Sequence, residues 1–421
     1  MTDQIDNNYN GSFRRNIATA GITATLAELQ ALVDATPDGY ELVLPEAEYV
    51  LRTGGELMTA DPGYLTINKN IKITGRRTSN VNYTSNGTIV RNIAKSTISN
   101  WVSVGSDVWE VARPGGITAI FWEGQVSGFR RFLQFYVEDN ASITAATVPT
   151  WGTTGGNMRV KLGAGINPNN EVLYFGSVNN SNYGDQVILF GANVQEFEMT
   201  DIDLLGGAQR CISWQSLNQA NAPKARFTNV HVRHCGVQRV GGFLVVNQGQ
   251  GFQMGGSGRF EYDGCVVEAC GWDGFNFKYG GLHKMQACHS AWVGATAAMH
   301  TLAAVASSSN AVSPHYGSVV EAQDCYFGPS SAALVAPVSG AIFTADGCVI
   351  EGDATNMVSP CGVDVFDANS SKNAGYANLQ SCIVTACTVG LRTAHGSRIF
   401  TKATSNDCAT PTSGTGILVR T

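Results

Sequence analysis

From about residue 186 onward, apolar and polar positions alternate in short runs, and each run is broken by a two-residue turn. "FEMTDIDLLGG" from Phe197, "ARFTNVHVRHCG" from Ala225 and "RFEYDGCVVEACG" from Arg259 show the pattern. "HKMQACHSAWVG" from His283, "VVEAQDCYFG" from Val319, "IFTADGCVIEG" from Ile342, "ANLQSCIVTAC" from Ala377 and "RIFTKATSN" from Arg398 repeat it. Alternation of period two over a few residues predicts strands. The turn pairs run from Thr200-Asp201 through Asp263-Gly264 and Asp346-Gly347 to Lys402-Ala403, and several supply Asp, Asn or Gly for left-handed backbone. The residues after the turns are Ile202, Val230, Cys265, Cys288, Cys325, Cys348, Cys382 and Thr404, spaced 28, 35, 23, 37, 23, 34 and 22 apart. A basic period of 22 to 23 with intermittent loops is a solenoid signature.

A third strand is expected between these phrases, at "CISWQ" (Cys211), "GFLVV" (Gly242), "GFNFK" (Gly274), "AMHTL" (Ala298), "ALVAP" (Ala333), "GVDVF" (Gly362), "GLRTA" (Gly390) and "GILVR" (Gly416). Three strands per repeat predict the coils of a parallel β-helix, stacked about 4.8 Å apart. The post-turn slot then points inward at a tight corner, which small thiols fill; a second thiol column is expected at Cys235, Cys270 and Cys387. Eleven cysteines without a C-x-x-C pair fit reduced, buried thiols better than a metal cluster or a disulfide framework.

Upstream, Thr25 and Glu28 form a capping box, and Leu26, Leu29, Leu32 and Val33 give one apolar face, so a helix near 25 to 35 should cap the open end of the solenoid. Residues 101 to 185 break the rhythm and carry hairpin signals such as Pro114-Gly115-Gly116. The expected division is an N-terminal arm over 1–22, capping helix and first coils over 23–100, a β-rich insertion over 101–185 and the main helix over 186–421, with loops at 306–314 and 367–375. A net charge of −6 without a basic stripe argues against a nucleic-acid partner, and no apolar run is long enough to insert in a membrane. The first residues lack the pattern of a secretory signal.

The helix, the "ELVLPEAEYVL" entry, the "INKNIKITG" strand–turn–strand and the later coils resemble the right-handed parallel β-helix superfamily of pectate lyases and phage tailspikes, over about residues 20–100 and 185–421. The resemblance implies an all-β fold and a phage tailspike-like protein that binds, and depolymerises by hydrolysis or β-elimination, a bacterial surface polysaccharide. It further implies a homotrimer carried on a virion, attached to particle proteins through the N-terminal arm and acting outside the host cell, with no cofactor. A non-catalytic glycan-binding or structural β-helix is the alternative. A secreted pectate-type lyase or epimerase would need clustered aspartates for Ca²⁺, and only Asp364 and Asp367 lie near each other.

Alternation on the third strands points Phe275 and Phe277 inward and Gln215, Asn276, Lys278, His300, Asp364 and Arg392 outward as a polar strip. Lys278, His300 and Arg392 are candidates for a base and a cation in a lyase. Asp364, Glu268, Asp273, Glu351 and Asp353 are the acids available for the paired carboxylates of a hydrolase, with Glu268 and Glu351 at the same place in their coils. Trp272 and Tyr279 are candidates for stacking on sugar rings, with Asn276 and Gln215 as polar contacts. Val266, Val349 and Ile383 are expected to face outward as an apolar interface patch.

Overall fold

The computed structural model describes residues 14–16, 25–51, 63–76, 87–92, 94–96, 100–105, 108–112, 119–126, 129–136, 138–139, 157–161, 167, 169, 173–176, 186–207, 209–215, 222–235, 249–294, 309–353, 361–365, 375–394 and 396–420. Within them the chain is a right-handed parallel β-helix. Its strands fall into three long parallel sheets, one of twelve strands and two of ten. The sheet before the two-residue turn (the long sheet) includes Glu196–Thr200, Lys224–Thr228, Arg259–Asp263, Leu282–Gln286, Val319–Gln323, Ile342–Asp346, Tyr376–Gln380 and Arg398–Lys402. The post-turn sheet includes Ile202–Leu205, His231–Arg233, Val266–Glu268, His289–Ala291, Tyr326–Phe327, Val349–Glu351 and Ile383–Thr385. The third sheet includes Arg210–Gln215, Gln250–Gly255, Phe275–Lys278, Val312–Pro314, Ala333–Val335, Cys361–Val365 and Val389–Thr393.

The corners explain why the sequence tolerates this winding. The second residue of every expected turn pair has a left-handed backbone: Asp201, Asn229, Gly264, Ala287, Asp324, Gly347, Ser381 and Ala403, with φ between 49° and 64°. The chain therefore reverses at once and drives the next side chain into the interior. Cys265, Cys288, Cys325, Cys348 and Cys382 fill that slot and are buried, as the sequence predicts. The Cys288 N–H donates to Cys325 Sγ and the Cys325 N–H to Cys348 Sγ, both at 3.4 Å, and Thr404 Oγ1 takes the same part for Cys382 N. A second set of left-handed residues, His234, Ala269, Trp292 and Ala386, precedes Cys235, Cys270, Val293 and Cys387, so the second column obeys the same rule. Burial pushes the Cys235, Cys270 and Cys288 thiols well above their ordinary range. They are inert filler.

Between the corners, an aromatic stack runs through the interior: Phe190 on Trp214 (4.3 Å), Phe227 on Tyr262 (5.6 Å), Phe252 on Phe275 (5.1 Å) and Phe277 on His283 (3.9 Å). At the N-terminal end, helix α1 (Leu26–Ala35) starts at Thr25, whose Oγ1 accepts from Glu28 N, and buries Leu29 and Val33 against the core. Arg14–Asn16 pairs with residues 40–42, so this part of the expected arm belongs to the long sheet. Strands from Ala94–Ser96 through Leu173–Gly176 form two four-stranded antiparallel sheets. Asn92 clasps the two ends of this segment to the coil, donating to Gln186 O (2.8 Å) and accepting from Gly207 N (2.9 Å).

Three third-strand expectations are corrected. The third-sheet strand between Arg210–Gln215 and Phe275–Lys278 is Gln250–Gly255, while "GFLVV" lies outside the described residues. The strand after Ala291 is Val312–Pro314, inside a stretch expected to be a loop; "AMHTL", with His300, lies outside the described residues. Ile417–Arg420 of "GILVR" pairs with residues 398–401 and so belongs to the long sheet. Residues 367–374 of the second expected loop are also outside the described residues.

Candidate functional site

The strand registers place Ser213, Gln253, Asn276 and Ser313 in one outward column of the third sheet, and Asp364 beside Arg392 farther along it. Of the residues expected on one strip, Asn276, Asp364 and Arg392 fall in this column, and Gln215 and Lys278 in the one two residues on. The column's exposure differs from the expectation: Ser213, Gln253, Asn276, Ser313 and Asp364 are all buried. Ser313 occupies the slot that was expected for His300.

The column's best-developed part spans the Phe275–Lys278 and Val312–Pro314 coils. Asp273, at the entry to the first strand, is fully buried and accepts from Asn276 Nδ2 (2.5 Å), Asn310 N (3.0 Å) and Asn310 Nδ2 (3.1 Å). Burial pushes its carboxyl up to about 7, against the pull of these donors and of the Lys278 cation. Asn276 Oδ1 is buried with no hydrogen-bond partner. Asn310 Nδ2 also donates to Ser313 Oγ (3.4 Å), and Ser313 Oγ lies 2.7 Å from His315 Nε2. Burial, helped by the Lys278 charge, pushes His315 down to about 4. Burial likewise lowers Lys278, and the Arg210 cation adds to that shift while Asp273 opposes it.

Two exposed tyrosines flank this network. Tyr279 and Tyr316 stack with ring centroids 5.4 Å apart and planes 9° apart. Both have left-handed backbone, φ 63° and 49°, and each is followed by glycine. On the preceding coil the corresponding residue is Gly256, φ 102°, which adopts such angles freely. A bulky side chain there is strained, and strain of this kind concentrates at ligand clamps.

The other expected site residues separate. Asp364 and Arg392 are joined by a two-pronged ion pair, Nε to Oδ1 at 2.9 Å and Nη2 to Oδ2, so the acid and the cation satisfy one another. Asp364 sits three coils beyond Lys278, roughly 14 Å at the usual strand spacing, and Arg392 one coil further. Glu268 and Glu351 share a face of the post-turn sheet but are also three coils, roughly 14 Å, apart, too far for a direct carboxylate pair. Trp272 is half-buried beside Asp273. Gln215 ends its strand opposite Gly255.

Sequence reasoning missed a ladder on the long sheet. Glu41, Lys72, Glu198, Arg226, Glu261, Lys284 and Glu321 occupy one register column with alternating sign. Lys72 lies 3.5 Å from Glu41, Arg226 2.6 Å from Glu261 and Lys284 3.4 Å from Glu321. Part of the ladder lines a groove of about 760 Å³. The exposed Arg226–Glu261 and Lys284–Glu321 pairs contribute little each but penalise a slip in coil register.

No family model and no curated protein matches the chain. One solved structure that resembles it, titled "The complex structure of XylC with xylose", superposes with a TM-score of 0.41 and 8% identity, over 90% of this chain and 64% of that one. The chain thus spans less than two thirds of that structure's length.

Proposed function

We propose that the chain binds an acidic bacterial surface polysaccharide at the Lys278–His315 site and cleaves it by β-elimination. The observation that carries this reading is the stacked pair Tyr279–Tyr316, held in strained backbone and exposed beside a cation and a neutral imidazole. Tyrosine surfaces bind sugar rings while leaving the hydroxyl wet. Lys278 takes the uronate carboxylate and thereby acidifies the neighbouring C–H. His315, neutral at ordinary pH, accepts that proton; the C–H electron pair forms the new double bond as the glycosidic C–O bond breaks, and the imidazolium so formed returns the proton to the leaving oxygen. Ser313 orients the imidazole through the 2.7 Å contact. In this reading the protein is a tailspike-like appendage of a phage particle, attached through residues 1–22 and working outside the host cell. Asp364 and Arg392 hold adjacent coils together.

The test is a panel of capsular, lipopolysaccharide and exopolysaccharide substrates, followed for reducing ends and for ultraviolet absorbance of unsaturated uronate. Both signals together are expected. His315→Ala and Lys278→Ala should each lower kcat/KM by about 10²–10⁴-fold, the range of a lost acid–base group. Reducing ends without absorbance would replace elimination by hydrolysis. Binding without either signal would make the chain a glycan-binding module, and full activity in both variants would reject the site.

A further inference from the structure

A second set of titratable groups lies on the post-turn sheet, away from Lys278. Val266, His289, Tyr326 and Val349 form one register column, with Glu268 two residues beyond Val266 and Glu351 two beyond Val349. Glu268 Oε1 stands 3.0 Å from His289 Nε2. The two are close enough for an ion pair but are not aligned as a hydrogen bond: His289 Nε2 is buried without a hydrogen-bond partner. Glu268 is 4% exposed, and its Oε2 also lacks a partner. A buried carboxylate oxygen left unsatisfied is costly. The imidazole is fixed in place by Tyr326, whose ring stacks on it at 4.8 Å and 12° and whose hydroxyl donates to Glu351 Oε2 (3.0 Å). On the preceding coil Arg233 lies in register with Glu268 and reaches Asp203 at 3.1 Å. A divalent cation beside His289 would satisfy the Glu268 carboxylate.

We propose that Glu268 and His289 bind a divalent first-row transition cation. Ligands held about 2.0–2.2 Å from a metal at close to a right angle are separated by about the distance seen between these two atoms. A mixed imidazole and carboxylate donor set suits Zn²⁺, Co²⁺, Ni²⁺ or Mn²⁺ better than Ca²⁺ or Mg²⁺. Among the described residues no third His, Cys, Asp or Glu joins the pair, so the remaining positions fall to water or to an oxygen of a bound ligand. The inference is independent of the proposed polysaccharide site, which uses neither residue.

The untagged full chain, stripped with EDTA, should be titrated with ZnCl₂, NiCl₂ and MnCl₂ by calorimetry and with CoCl₂ by visible absorption. At least one ion is expected to bind at a single site. Glu268→Gln and His289→Ala should each weaken it at least about tenfold, the lower end of what metal-shell substitutions cost. Lys278→Ala should leave it unchanged, and circular dichroism melts verify that each variant is folded. Absence of binding for all four ions, or parental affinity in both ligand variants, overturns the proposal. A doubly protonated His289 ring at neutral pH in ¹⁵N spectra, unchanged by the ions, assigns the contact to an ion pair and overturns it as well.

Discussion

Two buried ionisable residues, Asp273 and His283, and the half-buried His315 give the fold a pH dependence of mixed sign. Asp273 keeps its proton to about pH 7 when folded, against an ordinary value of 3.8. Its stabilising share is present in acid and is lost as pH rises through about 7, because the unfolded chain gives up the proton first. His283 behaves oppositely. It is fully buried between Phe277 and Phe260, and burial pushes it from 6.5 to about 3. The unfolded chain then takes the proton first, so stability is present above pH 6.5 and is lost as pH falls towards 3. His315 acts in the same direction over 6.5 to about 4. Urea midpoints measured between about pH 5 and 8 should separate these contributions. Relative to the parent, Asp273→Asn should gain stability as pH rises, and His283→Phe should gain it as pH falls. Curves parallel to the parent's would mean that neither group is buried in the charge state described.

At the scale of the element, the left-handed corners serve two ends that can be told apart. Ala287 and Ala403 adopt φ 50° and 49° because the corner demands it, and nothing in their methyl groups requires the strain. Ala287→Gly should therefore be neutral or stabilising, by up to about 1 kcal/mol once glycine's greater unfolded-state freedom is subtracted. Tyr316 has the same backbone at φ 49°, yet it exposes a large ring. Tyr316→Gly should keep the urea midpoint at or near the parent's while abolishing retention in glycan affinity electrophoresis. A large loss of stability would show that the ring is structural and would remove the main support for the sugar platform. These corners were legible in the sequence because Asp, Asn or Gly marks five of the eight and cysteine follows five of them. The strands at Gln250–Gly255 and Val312–Pro314 were not, since long connections stretch the period there and the nearby "GFLVV" and "AMHTL" imitate the alternation. The site was legible to the same degree. Asn276, Lys278 and Tyr279 follow from the phase of one well-marked strand. Asn310, Ser313, His315 and Tyr316 sit on the misplaced one, so their partnership with Asp273 depends on a register that the sequence does not display.

For the whole molecule, the pattern of exposed apolar residues bears on assembly. The column expected to be an apolar patch contains Val266, Val349 and Ile383, but His289 and Tyr326 interrupt it, and of the three valine and isoleucine side chains Ile383 alone is largely exposed, at 46%. A more continuous stripe lies on the long sheet. Leu282, Val319, Ile342 and Tyr376 occupy successive rungs of one column, with Arg259 and Arg398 at its ends and Ile417 beyond. Ile342 is 39% exposed and Ile417 49%. A row of aliphatic side chains bordered by the charge ladder combines an apolar strip with a polar margin, as protein interfaces do. We propose that this stripe is the contact of the homotrimer that the resemblance to tailspikes implies. Sedimentation equilibrium at micromolar concentration should give three times the chain mass. Ile342→Lys, which sets an unpaired charge in the middle of the contact, should shift the protein to monomer without changing its circular dichroism, because the side chain points away from the core. A parent chain that sediments as a monomer would reject the trimer. A trimer that survives Ile342→Lys would keep the assembly and move the contact to another face.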